Sequence, residues 1–430
     1  MIYAILAGGF VITAVIGLPI GIGLALTGLA ILQFAVGGAT DLAVNAMWDV
    51  FNNFTLSAVP LFIIMGEILL ASGVSSRLYN AMSPFFGRIP GKLLHTNIAV
   101  CALFGAVSGA STSTAAAVGS VAFPELLKRG YDPKIVVGTL AAGGTLGLLI
   151  PPSLSLLIYG ATMQVSIGQL FLAGIIPGIL FALGMMALIV LLTLTKRGLT
   201  PDAPDAGPGL GGALLGLLRI WPIGILVFSV LGTIYLGIAT PTEAAGLGVV
   251  ASIGLGFLWG DLTVRGLLKA LRDSVEVFVS ISMVILGAVV LAQAISIVGL
   301  PFELMTWIKT LGLSPTMLLA VVAIFYLVLG CFFDGISLML MTLPIVFPVM
   351  TSVGYDPVWL GVVITVLIEV GMLTPPVGMN LYILTGVSGN RVSLIEAAAA
   401  AAPFWVLLLL GVAVLAAVPQ LALMLPQAFY

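Results

Sequence analysis

GAVSGASTSTAAAVGSVAFPELLKRGYDP, residues 105–133, continues through GGTLGLLIPPS at 143–153, and later in the chain its landmarks return. The second copy reads GCFFDGISLMLMTLPIVFPVMTSVGYDP at 330–357 and EVGMLTPPVGMN at 369–380. Pro124 pairs with Pro348, Gly130 with Gly354, Tyr131-Asp132-Pro133 with Tyr355-Asp356-Pro357, Gly147 with Gly371, and Pro151-Pro152 with Pro375-Pro376. All eight pairs share one interval, 348 − 124 and 376 − 152 both giving 224. A register held without a gap over that span is an internal duplication, and it governs how the rest of the chain is divided.

Composition sets the solvent. Of 430 residues, 61% are hydrophobic and 7% charged, against about 25% charged in a soluble domain. Mean hydropathy is +1.29, which describes a polytopic membrane protein. Lipid tolerates the 52 glycines and 24 prolines only where protein or a wet cavity satisfies the freed backbone groups. Nucleic-acid binding is excluded by the lack of a basic stripe. Cys101 and Cys331 sit in apolar runs without CxxC spacing and are expected as small buried residues. His95, the single histidine, lies near Arg88 and Lys92 and is expected as an interfacial loop residue rather than a metal ligand. The N-terminus has no basic n-region or small-residue cleavage site, so it is expected to be the first span rather than a signal peptide.

Residues 1–36 exceed one span of about 20 residues, and Gly17-Leu18-Pro19 divides them into two. Residues 38–54 mix Asp41, Asp49 and three asparagines with Met47, Trp48 and Phe51, as an interfacial amphipathic helix does. A third span covers Leu56–Ser72. Arg77, Arg88 and Lys92 precede the next apolar segment, 98–124, and Lys128, Arg129 and Lys134 follow it. By the positive-inside rule both flanks face the cytoplasm, which predicts a re-entrant hairpin tipped by Ser108–Thr114. A single polar crossing would put one basic flank outside. Residues 135–162 then cross, broken at Gly143–Ser153, and 168–195 return to Lys196-Arg197. TPDAPDAGPGLGG at 200–212 is the one long loop-like stretch and joins the halves.

The second half replays this order. Residues 217–238 cross, Pro241-Thr242-Glu243 opens a span to Trp259, Arg265, Lys269 and Arg272 mark a helix at the cytoplasmic edge, and 275–297 cross to a loop holding Glu303 and Lys309. A second hairpin, 315–350, has Asp334 near a tip at Gly330–Ser337, before a break at Gly371–Asn380. The first GYDP loop has three basic neighbours and the second none, and the first amphipathic arm carries only acids where the second carries three bases. Equivalent elements therefore face opposite sides. The expected fold is an all-α polytopic membrane protein with an inverted-topology repeat, about ten transmembrane helices and two re-entrant helical hairpins.

Inverted repeats with discontinuous helices are a recurring plan of secondary transporters, whose sites lie near the midplane where tips meet breaks. Hydroxyls at Ser108, Ser111, Thr112, Ser113 and Thr114 crowd the first tip. Alone they usually signal helix packing, but here each hydroxyl-rich or acidic tip has a Pro-Pro break in register with it. Ser111, Thr112, Ser113, Thr114, Ser153 and Asn380 are the candidate substrate-binding residues. Among charges in apolar segments, Asp334 is the leading functional candidate, Glu369 fits a structural or a functional role equally, Glu67 and Glu243 are expected at scaffold helix ends, and Arg391 as a cytoplasmic anchor.

With ATPTEAA at 239–245, the two GYDP loops and TPPVGMN at 374–380, the whole chain resembles the large membrane subunit of TRAP transporters (tripartite ATP-independent periplasmic, the DctM and SiaM type). The resemblance implies sodium-driven uptake of an organic acid, a C4-dicarboxylate, sialic acid or similar carboxylate, by an elevator movement in the bacterial inner membrane. It implies two partners: a small membrane subunit of about four helices (DctQ or SiaQ type), expected here as a separate chain, and a soluble periplasmic binding protein (DctP or SiaP type). It implies one sodium at each hairpin–break junction, the first held by Ser108, Ser111, Gly147, Ile150 and Pro152, the second by Gly330, Asp334, Gly371, Thr374 and Pro376. Residues 98–195 and 315–425 would move against a scaffold of 1–75 and 217–297, with 196–216 as cytoplasmic linker and both termini periplasmic. A stand-alone ion-coupled dicarboxylate symporter would share the two-hairpin plan. A channel lacks its continuous hydrophilic lining. An intramembrane hydrolase lacks a nucleophile elbow with partners, the sole histidine lying at an edge, so no enzymatic activity is expected. No GxxxxGK[ST] loop is present for ATP.

Overall fold

The computed structural model describes residues 1–196, 198–201, 216 and 220–430, and every regular element among them is helical. The first half contains α1 (Ile2–Ile16), α2 (Ile20–Phe34), α3 (Asp41–Asn52), α4 (Ala58–Ala71), α5 (Val74–Phe86), α6 (Leu93–Ser108), α7 (Ser111–Lys128), α8 (Pro133–Leu149), α9 (Leu154–Met163) and α10 (Ile167–Thr195). The second contains α11 (Trp221–Tyr235), α12 (Pro241–Leu258), α13 (Val264–Ile297), α14 (Leu300–Thr310), α15 (Pro315–Gly330), α16 (Gly335–Ser352), α17 (Pro357–Met372), α18 (Met379–Val387), α19 (Leu394–Ala417) and α20 (Gln420–Phe429). By length and hydropathy, seven helical segments of the described residues suffice to cross a bilayer, and the other apolar helices are shorter. The expected inter-repeat linker falls mostly outside the described residues.

The repeated landmarks are helix punctuation. In GYDP the glycine takes a left-handed conformation (φ 83° at Gly130, 97° at Gly354) that ends α7 and α16. The aspartate then caps the next helix, Asp132 accepting from the Lys134 amide and Asp356 from those of Val358 and Trp359, and the proline fills the first helical position, where no amide hydrogen is needed. Thr240-Pro241 and Ser314-Pro315 start α12 and α15 the same way. Gly17, at φ 70°, separates α1 from α2 as the sequence predicts.

The broken helix α8–α9 is the axis of the molecule. Its most apolar stretch is 94% buried, against 33% for α10 and 28% for α13, so it runs through protein while those two present most of their surface outward. Hydrophobic burial does not hold helices together in hydrocarbon; close packing over small residues does. On α8 four glycines serve three neighbours, α19, α6 and α7. A Cβ at Gly138 would meet the Ala400 carbonyl of α19 at 2.8 Å, at Gly143 Cys101 of α6 at 2.9 Å, at Gly144 Ala115 of α7 at 2.8 Å, and at Gly147 Thr114 at 2.8 Å. A second packed group joins α2 to α13, where a Cβ at Gly287 would fall 2.0 Å from the Gly21 carbonyl, and joins α4 to α12 and α13.

The repeats are antiparallel. Lys134, at the start of α8, pairs with Glu396 at the start of α19 at 2.9 Å, and Lys92 at the start of α6 donates to the Pro201 carbonyl at 2.6 Å. The far end of α9 meets the beginning of α17, Tyr159 donating to the Pro357 carbonyl at 2.7 Å. The two GYDP loops thus lie at opposite ends, as an inverted repeat requires.

Several expectations need correction. The first tip is only Gly109-Ala110, and Ser111–Thr114 form the opening turn of α7. The breaks are shorter than 143–153 and 371–380: helix persists through Leu149 and Met372, because glycine in a packed helix loses about 1 kcal/mol without ending it. The basic arm at 265–272 and the crossing at 275–297 are one helix, since no proline and no cap separates them. Glu303 and Lys309 lie on α14, not a loop. His95 is 2% exposed inside α6, its Nε2 hydrogen-bonded to the Pro90 carbonyl at 2.7 Å, so it is a packed helix residue. Glu67 lies within α4 rather than at its end, whereas Glu243 closes the capping box of α12. Cys101 and Cys331 are buried and unbridged.

Candidate functional site at two hairpin tips

Each hairpin docks on a broken helix in the same way. At the first junction α6 crosses α8 with glycine against glycine: a Cβ at Gly105 would stand 2.6 Å from the Gly147 Cα. At the second, a Cβ at Gly330 would stand 2.7 Å from the Gly371 Cα. The amide just past each Pro-Pro pair then donates into the tip, Leu154 to the Gly109 carbonyl at 3.1 Å and Gly378 to the Cys331 carbonyl at 3.2 Å. These donors are equivalent under the repeat, 378 − 154 giving 224.

The side chains complete each junction. Ser108 and Thr114 share a 2.7 Å hydrogen bond, and Thr114 donates to the Ala110 carbonyl at 2.7 Å, which closes the first tip. Ser153 caps α9 through the Leu156 amide and donates to the Leu148 carbonyl, which Ser155 also reaches at 2.9 Å. At the second junction Thr374 bonds the Gly371 carbonyl at 2.9 Å and Cys331 Sγ at 3.2 Å. Asp334, half-buried, caps α16 by accepting from the Ser337 amide at 3.1 Å. Pro151 and Pro152 are buried, while Pro375 and Pro376 are exposed.

Further hydrogen bonds near the breaks join the repeats to each other. Ser155, in the first turn after break one, approaches Thr365 of α17 at 3.3 Å. Asn380, in the first turn after break two, donates to the Ala141 carbonyl of α8 at 3.4 Å and to Ser111 Oγ at 2.8 Å. Thr365 and Ala141 are themselves repeat equivalents, 365 − 141 giving 224. Ser111 in turn donates to Glu369 Oε2 at 2.9 Å. Glu369, 2% exposed on α17, is the member of this network that sequence reasoning left open. Its one signal is being the only charge between Pro357 and Met372.

The structure therefore gathers Ser108, Ser111, Gly147, Ile150 and Pro152 at one tip-and-break junction, and Gly330, Asp334, Gly371, Thr374 and Pro376 at the other. Of the candidate substrate residues, Ser111, Thr114, Ser153 and Asn380 are buried and hydrogen-bonded within the protein. Thr112 and Ser113 are half-buried, on the first turn of α7. Four helices, α7, α9, α16 and α18, begin at the tips and breaks, and four others, α6, α8, α15 and α17, end there. Helix N-termini carry partial positive charge suited to a carboxylate, and C-termini present carbonyls suited to a cation. Among the described residues no group of three histidine, cysteine or acidic side chains could hold a transition metal. A separate cleft of about 240 Å³, lined by Asp49, Asn53, Gln164 and Gln293 among others, lies between α3, α13, α9 and α16.

Known proteins resemble the chain in sequence and in fold. The chain is 34% identical over 400 residues to the C4-dicarboxylate TRAP transporter large permease protein DctM of Pseudomonas aeruginosa, covering 93% of this chain and 92% of that one. It is 32% identical over 417 residues to the sialic acid TRAP transporter large permease protein SiaM of Vibrio cholerae, covering 96% of each. The fold is similar to that of the Alcanivorax borkumensis YdaH transporter, whose crystal structure shows an unusual topology, with a TM-score of 0.58, 15% identity and 88% of each chain covered. These relatives are transporter permeases rather than enzymes. With residues 7–421 matching the family described as "Tripartite ATP-independent periplasmic transporter, DctM component", and with paired hairpins docked on paired breaks, the chain belongs to the large permease subunits of TRAP transporters.

Proposed function

We propose that this subunit carries an organic acid across the bacterial inner membrane by sodium-coupled elevator transport, receiving it from a periplasmic binding protein and working with a small membrane subunit. The observation that carries the reading is the pair of glycine-on-glycine junctions, Gly105 on Gly147 and Gly330 on Gly371, with helix ends of both polarities converging on them. Sodium fits the donor set, which is made of hydroxyls, carbonyls and the Asp334 carboxylate rather than of sulfur and imidazole. The carboxylate of the substrate would meet the N-termini of α7, α9, α16 and α18. The moving body comprises 98–195 and 315–425, and the scaffold 1–75 and 217–297. Tight packing of α2 on α13 and of α8 on α6, α7 and α19 supports that division. Tyr430 lies beside Gly168 and Tyr3 bonds Glu303 at 3.0 Å, both at ends away from the Lys92 and Lys134 cluster, which favours periplasmic termini.

The test is uptake into proteoliposomes holding this subunit with its small partner, with and without a sodium gradient and with and without a periplasmic binding protein, over labelled organic acids. Dependence on both is the expected result. Uptake without the binding protein would favour a stand-alone symporter, and uptake without sodium would remove the ion sites. Within that assay Asp334→Ala removes the cap of α16 and a carboxylate at the second junction. The sodium concentration for half-maximal uptake is expected to rise about fivefold or more, the equivalent of about 1 kcal/mol. An unchanged sodium dependence would take Asp334 out of the second site.

A further inference from the structure

Glu369 is a buried carboxylate with no basic partner among the described residues. Its Oε2 accepts from Ser111 at 2.9 Å, but its Oε1 is buried without a hydrogen-bond partner among the described residues. The same holds for Asn380 Oδ1, although Asn380 Nδ2 is engaged with Ser111 at 2.8 Å. Glu369 is 2% exposed, Asn380 0% and Ser111 2%. Two acceptor oxygens, both on side chains bound to one serine hydroxyl, are thus left unsatisfied in one buried neighbourhood. Leaving such oxygens unpaired is unfavourable, the more so for a charged group. A buried carboxylate is held by a partner or a metal. Ion pairs involving the described lysines and arginines are made elsewhere, at Asp261, Glu125, Glu396 and Glu276.

We infer that Glu369 Oε1 and Asn380 Oδ1, beside Ser111, form a third binding site for a monovalent metal cation of sodium size, set between the two hairpin–break junctions and built from oxygens that neither junction uses. The repeat shows that it is not a copy of either junction. The equivalent of Glu369 is Thr145 (369 − 145 giving 224), whose hydroxyl is spent on the Ala142 carbonyl at 2.6 Å. The equivalent of Asn380 is Leu156 (380 − 156). Both oxygens come from the second repeat, while Ser111 comes from the first. A cation here would join the tip of hairpin one to both sides of break two and count toward the ions that move with substrate. That role rests on the transport reading; binding does not.

The experiment counts sodium ions bound by the purified full-length chain in detergent, with radioactive sodium and a choline background, for the wild type, Glu369→Gln and Glu369→Asp. Glu369→Gln preserves shape and removes charge, and is expected to lose one bound ion. Glu369→Asp is expected to keep the ion at weakened affinity. A Glu369→Gln protein that binds as many ions as the wild type, equally tightly, would overturn the site. If that variant does not fold, cryo-EM maps of the wild type in sodium and in choline decide. Density between Glu369 and Asn380 in sodium alone supports the site; equal density in both identifies a bound water and overturns it. Sodium-independent uptake together with loss of an ion in Glu369→Gln would defeat the transport reading and leave this one standing.

Discussion

Gly371→Val is expected to lower uptake about a hundredfold or more, the equivalent of about 3 kcal/mol of overpacking. A Cβ at Gly371 would stand 2.5 Å from the Gly330 Cα, 2.8 Å from its carbonyl carbon and 3.2 Å from the Tyr326 carbonyl oxygen. All three are backbone atoms, so no side-chain rotation relieves the clash and α15 must back away from α17. Hairpin two then leaves the junction, and with it goes the Gly378 amide bond to the Cys331 carbonyl at 3.2 Å. A competent state whose population falls lowers the apparent activity in proportion. Gly147→Val meets the Ala110 carbonyl at 2.9 Å and Thr114 Oγ1 at 2.8 Å, and is expected to act similarly on hairpin one. Gly246→Ala on α12, with nothing within 4 Å, is the control. It changes stability by less than about 1 kcal/mol, in the favourable direction. Uptake in proteoliposomes is the readout, with monodisperse elution showing that the protein folds. Normal uptake by Gly371→Val would mean that hairpin docking does not limit transport.

What could be read from the sequence was local chemistry. Gly130, Asp132 and Pro133 end one helix and start another through their own backbone preferences, so their recurrence at Gly354, Asp356 and Pro357 announces a repeat before any contact is known. The uneven placing of Lys128, Arg129 and Lys134 announced its inversion. The Ser111–Glu369 bond joins residues 258 apart in the chain, and nothing in either neighbourhood marks the other. Glu369 stood out as a charge in an apolar run and Ser111 as a tip hydroxyl, but nothing paired the two. The hydroxyls of Ser155 and Thr365 were harder still, because a serine or threonine in a membrane helix commonly bonds its own backbone, as Thr365 also does with the Gly361 carbonyl at 2.9 Å. The extent of α13 was missed for a different reason. Arg265, Lys269 and Arg272 look interfacial, and a helix that starts at an interface and continues into the membrane leaves no residue signal at the crossing point.

Replacing Asn380 by leucine is expected to reduce uptake about thirtyfold, as the two halves lose a buried polar tie. Leucine fills a similar volume and keeps α18 helical, so the effect isolates the amide. Its Nδ2 supplies a 2.8 Å bond to Ser111 and a longer one, 3.4 Å, to the Ala141 carbonyl. Leaving buried acceptors without donors costs about 1–3 kcal/mol. Ser111→Ala removes the same bond from the other side together with the bond to Glu369, so the double variant is expected to fall short of the product of the two single losses, with a coupling of about 1–2 kcal/mol. The pseudo-symmetric tie offers an internal comparison. Ser155 and Thr365 are 3.3 Å apart, near the limit for a hydroxyl pair, and each hydroxyl already donates to a backbone carbonyl. Thr365→Val is therefore expected to cost less than about 1 kcal/mol, and the repeats are held together unequally although their backbones are equivalent. Strictly multiplicative losses for Asn380→Leu and Ser111→Ala would show that the two side chains act independently, and the bridge between the repeats would have to be sought in packing instead.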